Sequence, residues 1–232
     1  MAGPARRGIA DWRRSGPVIL PSLLLCDFAD LRSEIGKLER AGVRGLHLDV
    51  MDGQFVPNLT YGMTIVSAVR SVTDLPLDVH LMIEQPERYV DAFAKAGADH
   101  LTIHVEATRD PQGVLGAIHD AGLSAGLAIN PSTDLSAAGE AWRDCDLALV
   151  MSVEAGFGGQ SFQRAMLDRA RRVREFLPDA AVLEMDGGID LQTIDACVAA
   201  GAEALVIGSA IFRQPDYGGA IAALSARASS SR

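Results

Sequence analysis

His47-Leu48-Asp49-Val50-Met51-Asp52-Gly53-Gln54-Phe55-Val56-Pro57-Asn58 is the stretch on which the reading of this chain turns. A histidine and a carboxylate stand two apart in an apolar run. Side chains alternate along a β-strand, so the two point to one face. Two metal-binding groups aimed together into a core are costly unless something binds them. The acidic, Gly- and Pro-containing run that follows reads as the loop leaving the strand. A carboxylate able to hold a metal and to move a proton, at the mouth of a strand, points to an enzyme.

Outward from this stretch, short apolar runs alternate with amphipathic ones. Strands are expected at 18–23, 45–50, 77–83, 100–105, 125–130, 147–153, 181–186 and 204–207, with helices between them. Asp27 is placed as an N-cap before Leu31, Ile35 and Leu38 at helical spacing. Pro86 and Pro111 suit first turns, and the Ala-Gly pairs at 41–42, 96–97, 121–122 and 200–201 suit helix C-caps. Alternating strands and helices imply a parallel sheet with right-handed crossovers. Eight units fit a closed α/β barrel of the (β/α)8 type, with its site at the C-terminal strand ends. A doubly wound open sheet fits less well, because no glycine-rich dinucleotide loop follows the first strand.

The 232 residues are 48% hydrophobic, enough for one large core. The net charge of −9 argues against a nucleic-acid partner. Three cysteines without framework spacing fit a reduced, cytoplasmic setting, and no apolar run is long enough to span a membrane. Residues 1–17, rich in arginine, read as a disordered extension rather than a targeting arm. Residues 18–225 read as a single barrel and 226–232 as a frayed tail.

Polar residues cluster at the predicted strand ends. His47, Asp49, His80 and Asp186 form a candidate divalent-metal set, suited to zinc, iron(II), manganese or cobalt rather than magnesium or calcium. His100 has no such company and reads as structural. His104 and Glu106 either orient a ligand from behind or cap the barrel. Glycine segments follow the last three strands: Gly156-Phe157-Gly158-Gly159, Gly187-Gly188 and Gly208-Ser209. Such segments let backbone N–H groups approach an anion, and barrels usually hold phosphate after the seventh and eighth strands. Met51, Met82 and Met151 fall near strand ends, where core filling is the ordinary role.

With these residues laid out, the chain resembles the ribulose-phosphate 3-epimerase family from about residue 18 to 224. The resemblance is carried by Pro21-Ser22, the quoted stretch, Asp78-Val-His80-Leu-Met82, Asn130-Pro131, Met151 through Gln160, Asp186-Gly187-Gly188 and Gly208-Ser209-Ala-Ile-Phe212. It implies a phosphate-binding barrel that interconverts D-ribulose 5-phosphate and D-xylulose 5-phosphate in the pentose phosphate pathway, commonly as a homo-oligomer. It further implies that His47, Asp49, His80 and Asp186 bind metal, with Asp49 and Asp186 as the acid/base pair. Ser22, His80, Gly156, Phe157, Gly158, Gly159, Asp186, Gly187, Gly188, Gly208 and Ser209 would contact the substrate. The three methionines match family residues around the reacting carbons.

The chemistry accounts for these residue types. The C3 hydrogen, α to the C2 ketone, is too weakly acidic for a carboxylate alone, and a Lewis acid on the C2 and C3 oxygens would help. Inversion needs removal on one face and delivery on the other, by two carboxylates in opposite protonation states. Leu25, Cys26, Ala155 and Met185 depart from the family pattern without removing a ligand or base. A sister 3-epimerase of a ketohexose 6-phosphate such as D-allulose 6-phosphate, and a non-catalytic sugar-phosphate sensor, are the competing readings. A Schiff-base aldolase is disfavoured, since Lys37 and Lys95, the chain's two lysines, fall in predicted helices.

Overall fold

In this computed structural model of the protein, Trp12 and residues 16–231 are described. Eight strands form one sheet: β1 Val18–Pro21, β2 Leu46–Met51, β3 Leu77–Met82, β4 His100–His104, β5 Ser124–Ile129, β6 Leu147–Met151, β7 Val182–Asp186 and β8 Ala204–Ile207. All seven ladders are parallel, in the order β1-β8-β7-β6-β5-β4-β3-β2. The two ends of that order meet at a parallel bridge between Ser22 and His47, which closes the barrel. Every strand except for the first residue of β5 and the last of β7 is buried throughout, as expected of parallel strands covered on both faces. Each fully buried leucine, such as Leu48, Leu81 or Leu101, contributes about 2 kcal/mol of burial.

The α-helices around the barrel are α1 Leu31–Arg40, α2 Met63–Arg70, α3 Val90–Ala96, α4 Pro111–Asp120, α5 Met166–Phe176, α6 Ile194–Ala199, α7 Ser209–Phe212 and α8 Tyr217–Ser229. Asp110 caps α4, accepting from the Gly113 N–H at 2.9 Å, with Pro111 in the first turn. The Ala-Gly pairs do end helices. Gly97, for example, closes α3 at φ +103°, a left-handed conformation that favours glycine. Three details differ from the sequence reading. Asp27 caps a separate 3-10 turn, Phe28–Asp30, ahead of α1. The segment after β5, Leu135–Arg143, is 3-10 rather than α-helical, broken at Gly139 where φ is +50°. The strand expected to reach residue 23 stops at Pro21, because the Ser22 hydroxyl accepts the Leu24 N–H and turns the chain.

Of residues 1–17, Trp12, Gly16 and Pro17 are among those described. Trp12 is 2% exposed at the N-terminal end of the barrel. Its ring centroid lies 4.8 Å from that of His100. A Cβ at Gly45 would come within 2.9 Å of both Trp12 and Leu20, so the missing side chain there is space that Trp12 fills. Residues 226–229, read from sequence as part of a frayed tail, instead continue α8. Ala228 is fully buried, Arg227 pairs with Asp195, and the Ser231 hydroxyl donates to Asp195 at 2.8 Å. No helix among the described residues is long and apolar enough to cross a membrane.

Candidate active site

Alternation along each strand turns one set of side chains into the barrel. In β2 that set is His47, Asp49 and Met51. The register pairs them with Asp78, His80 and Met82 of β3, while Met151 of β6 pairs with Asp186 of β7. One donor atom from each of His47, Asp49, His80 and Asp186 lies within 4.8 Å of the others. His47 and His80 are completely buried, with Asp49 and Asp186 above them, facing a cavity.

The hydrogen bonds behind these four side chains fix which atoms remain free. His47 Nδ1 lies 2.6 Å from Asp78 Oδ2, so it carries a proton and donates it. His47 Nε2, 3.3 Å from Asp49 Oδ1, has no hydrogen-bond partner. On the other side, His80 Nε2 lies 2.8 Å from His104 Nε2, and His104 Nδ1 lies 3.1 Å from Glu106 Oε2. The charge on Glu106 decides the direction of this relay. His104 gives its Nδ1 proton to Glu106, accepts one from His80, and so leaves His80 Nδ1 as a bare lone pair. That nitrogen lies 3.3 Å from Asp49 Oδ1. Asp49 Oδ1 therefore faces both the His80 lone pair and His47 Nε2, a cluster that needs a cation: a proton on His47 Nε2, or a metal ion in its place. The donor set thus fits a divalent metal ion.

The choice left open for His104 and Glu106 is settled as orientation of His80. Burial works against the Glu106 carboxylate, but the bond from His104 outweighs it and holds the pKa down to about 2. His80 is brought down to about 4 by burial and by the neighbouring His104 and His47, against the pull of Asp49, and so is neutral near pH 7. Burial alone would neutralise His47, yet the charges of Asp49 and Asp78 overcome it and raise its pKa.

The two aspartates differ. Burial penalises the charge of Asp49, but His47 and His80 hold its pKa far below the usual carboxylate range. Asp186 is pushed up to about 7, by burial first and then by the charge of Asp49. The Ser22 hydroxyl donates to Asp49 Oδ2 at 2.6 Å, and Thr60 Oγ1 donates to the Asp49 carbonyl at 2.7 Å. Asp52 accepts the N–H groups of Gln54, Phe55 and Glu84 at 2.8–2.9 Å and does no more than shape the loop.

The opposite wall is backbone. The Gly156–Gly159 segment, Gly187, Gly188, Gly208 and Ser209 line the same cavity as Ser22, Asp49 and Asp186. Gly188 has φ +60°, and a Cβ there would come within 2.6 Å of the Phe162 nitrogen and 2.7 Å of the Gln160 oxygen. The loops after β6 and β7 thus pack main chain on main chain, as an anion cradle requires. Phe157, half exposed, stands on the rim. Met51, Met82 and Met151 line the cavity and are also at most 4% exposed, so filling and lining are the same role here.

Sequence reasoning missed three contributors. Asp78 and Glu184 each sit two residues before a metal-set residue on the same strand face, a signal that alternation could have supplied. Both are fully buried, and Glu184 lies 3.6 Å from His47 Nδ1. These two and His47 form a second close group, but His47 Nδ1 is already committed to Asp78, so the pair reads as a support beneath the centre. Burial and the charge of Asp78 push Glu184 up to about 8. Arg213, one helical turn beyond Ser209, brings its guanidinium within 3.2 Å of where a Gly159 Cβ would lie.

The fold and site together define a class: a phosphate-binding (β/α)8 barrel with a buried two-histidine, two-aspartate centre. The model of the ribulose-phosphate 3 epimerase family matches residues 18–212. Ribulose-phosphate 3-epimerase of Bacillus subtilis is 46% identical over 202 residues, covering 85% of this chain and 93% of that protein. The Synechocystis enzyme of the same name is 45% identical, covering 88% and 91%. The chain belongs to the ribulose-phosphate 3-epimerase family. Among solved structures, KGPDC from Streptococcus mutans superposes with a TM-score of 0.70 at 16% identity, covering 93% of this chain and 99% of that one. A 3-hexulose-6-phosphate synthase gives 0.64 at 19%, covering 91% and 97%. These two likenesses concern the barrel alone.

Proposed function

We propose that this protein is a ribulose-phosphate 3-epimerase, interconverting D-ribulose 5-phosphate and D-xylulose 5-phosphate by inversion at C3. The observation that carries the reading is a single cavity. On one side are two aspartates whose proton affinities are pushed apart, Asp49 far down and Asp186 up to about 7, and on the other a glycine-built cradle for a phosphate.

His47, Asp49, His80 and Asp186 would hold one divalent ion (zinc, iron(II), manganese or cobalt), which supplies Lewis acidity toward the C2 and C3 oxygens. Asp49, ionised and fixed by Ser22, takes the proton from one face of tetrahedral C3, which becomes planar. Asp186, whose pKa is pushed up to about 7, delivers a proton from its acid form to the other face. In the reverse direction the roles exchange. Met51, Met82 and Met151 keep water from the reacting carbons. Backbone N–H groups of the three glycine segments, with the Arg213 charge beside Gly159, receive the phosphate. Leu25 stands over this end, its methyl carbons 3.5–3.8 Å from the Cβ positions of Gly158 and Gly208. That shortens the cavity and favours a five-carbon chain over a ketohexose phosphate. We read the protein as a cytoplasmic homo-oligomer whose barrel runs from about residue 18 to 229.

The test is incubation of metal-reconstituted protein with D-ribulose 5-phosphate in D2O. Deuterium at C3 of both epimers is the expected result. Absence of exchange with every one of the four metals overturns the assignment.

A further inference from the structure

Asn130, the first residue after β5, joins parts of the site that are far apart in sequence. Its backbone N–H donates to Glu106 Oε1 at 2.8 Å, so it shares with His104 the carboxylate that orients the His80 ring. Its side chain faces the other way, toward the loop after β6. Asn130 Oδ1 accepts the Ala155 N–H at 3.0 Å. The amide orientation follows from this contact, since a backbone N–H requires the oxygen. The amide nitrogen lies 3.4 Å from His104 Nδ1, which already gives its proton to Glu106, so that contact does not compete.

The Ala155 peptide leads into Gly156, buried at φ +130°. The carbonyl of Gly156 in turn accepts from Asn58 Nδ2 at 2.7 Å. Two asparagines, from the loops after β5 and β2, therefore grip the peptides on either side of the Ala155–Gly156 bond at the root of the glycine segment. A glycine-rich loop has much conformational freedom to lose when it is fixed. Each grip removes part of that cost before a ligand arrives. Asn58 comes from the loop that leaves the strand of Asp49, and Asn130 comes from the relay behind His80.

We infer that the Asn130 side chain is a positioning residue that holds the Ala155–Gly156 turn in its phosphate-receiving conformation, setting the distance between cradle and metal centre. This rests on the proposed function, in which the glycine segments bind the sugar phosphate. Asn130 itself touches no reacting atom.

Two variants test it from both ends of the bond: Asn130→Ala removes the acceptor, and Ala155→Pro removes the donor. With D-ribulose 5-phosphate, Asn130→Ala is expected to raise KM roughly fivefold to tenfold, one lost hydrogen bond, with kcat within about threefold. Its affinity for cobalt(II), read from the visible spectrum, should match wild type within about twofold. The same loss should appear in the affinity for inorganic phosphate, measured by calorimetry without turnover. The double variant should be no worse in KM than the worse single variant, because both remove one interaction. Amide exchange at Ala155 in metal-free protein should be slow in wild type and fast in Asn130→Ala. Unchanged KM and phosphate affinity, or strictly additive effects in the double variant, overturn the inference. Loss of cobalt affinity equal to the loss of phosphate affinity also overturns it, as a general loosening of the barrel. Amide exchange reads the grip even for a protein that fails to turn over the pentulose phosphate, so the two readings fail separately.

Discussion

The metal side of the cavity and the phosphate side are built by opposite means. On the metal side, side chains from β2, β3 and β7 converge at atoms fixed by strand register, and His47, Asp49 and His80 each have a buried partner. On the phosphate side, the groups are main-chain amides in loops after β6, β7 and β8, held by glycine conformations and a few side-chain grips. Charge chemistry needs groups whose pKa can be set by burial and neighbours, which rigid strands provide. Anion binding needs many donors at close range, which a bare backbone provides. The difference predicts that damage on one side shows in turnover and damage on the other shows in affinity.

The largest effect expected is from Asp186→Asn, which keeps size and removes the proton carrier. Turnover should fall by roughly 10³-fold or more, with bound metal still detectable by elemental analysis. Substantial residual turnover in metal-loaded protein would break the two-carboxylate assignment. Next is Gly188→Ala, whose added carbon would sit 2.6–2.7 Å from main-chain atoms of the neighbouring loop. KM should rise by about tenfold or more while cobalt affinity stays unchanged. A parallel loss of metal binding would erase the division between the two sides.

The smallest effect on activity belongs to Glu184, beneath the centre. Its folded pKa of about 8 lies above the ordinary carboxyl value of 4.5, so the folded state keeps a proton that the unfolded state releases. The native protein then binds more protons than the unfolded chain across that window, and stability falls as pH rises from about 4.5 to 8. Glu184→Gln removes this dependence. Urea titrations of metal-free protein at pH 5 and 8 should show the variant gaining on wild type at the higher pH. An identical pH slope in the two proteins would place the charge elsewhere.

The two sides also differed in how far they could be read in advance. His47, Asp49, His80 and Asp186 were visible because residue type and period-two spacing suffice to put a ligand on an inward face. Asp78 and Glu184 obey the same spacing but looked like strand interior, since nothing local says that a buried acid supports a histidine. On the phosphate side the glycines were legible as composition. The grips of Asn58 and Asn130 were not, because they join residues 98 and 25 positions apart. The eight-unit barrel was legible from alternation. The 3-10 segment at Leu135–Arg143 and the helical course of residues 226–229 were not, being decided by what Trp142 and Ala228 bury.

The barrel's closing bridge lies between Ser22, just past the C-terminal end of β1, and His47, the second residue of β2. A ring fastened there is weakest where its chemistry sits, and the Ser22–Asp49 hydrogen bond is part of the fastening. A metal ion held by His47 and Asp49 of β2 and by Asp186 of β7 would tie together the strands that flank the β8–β1 pair, so metal loading should slow amide exchange along the β1–β2 edge.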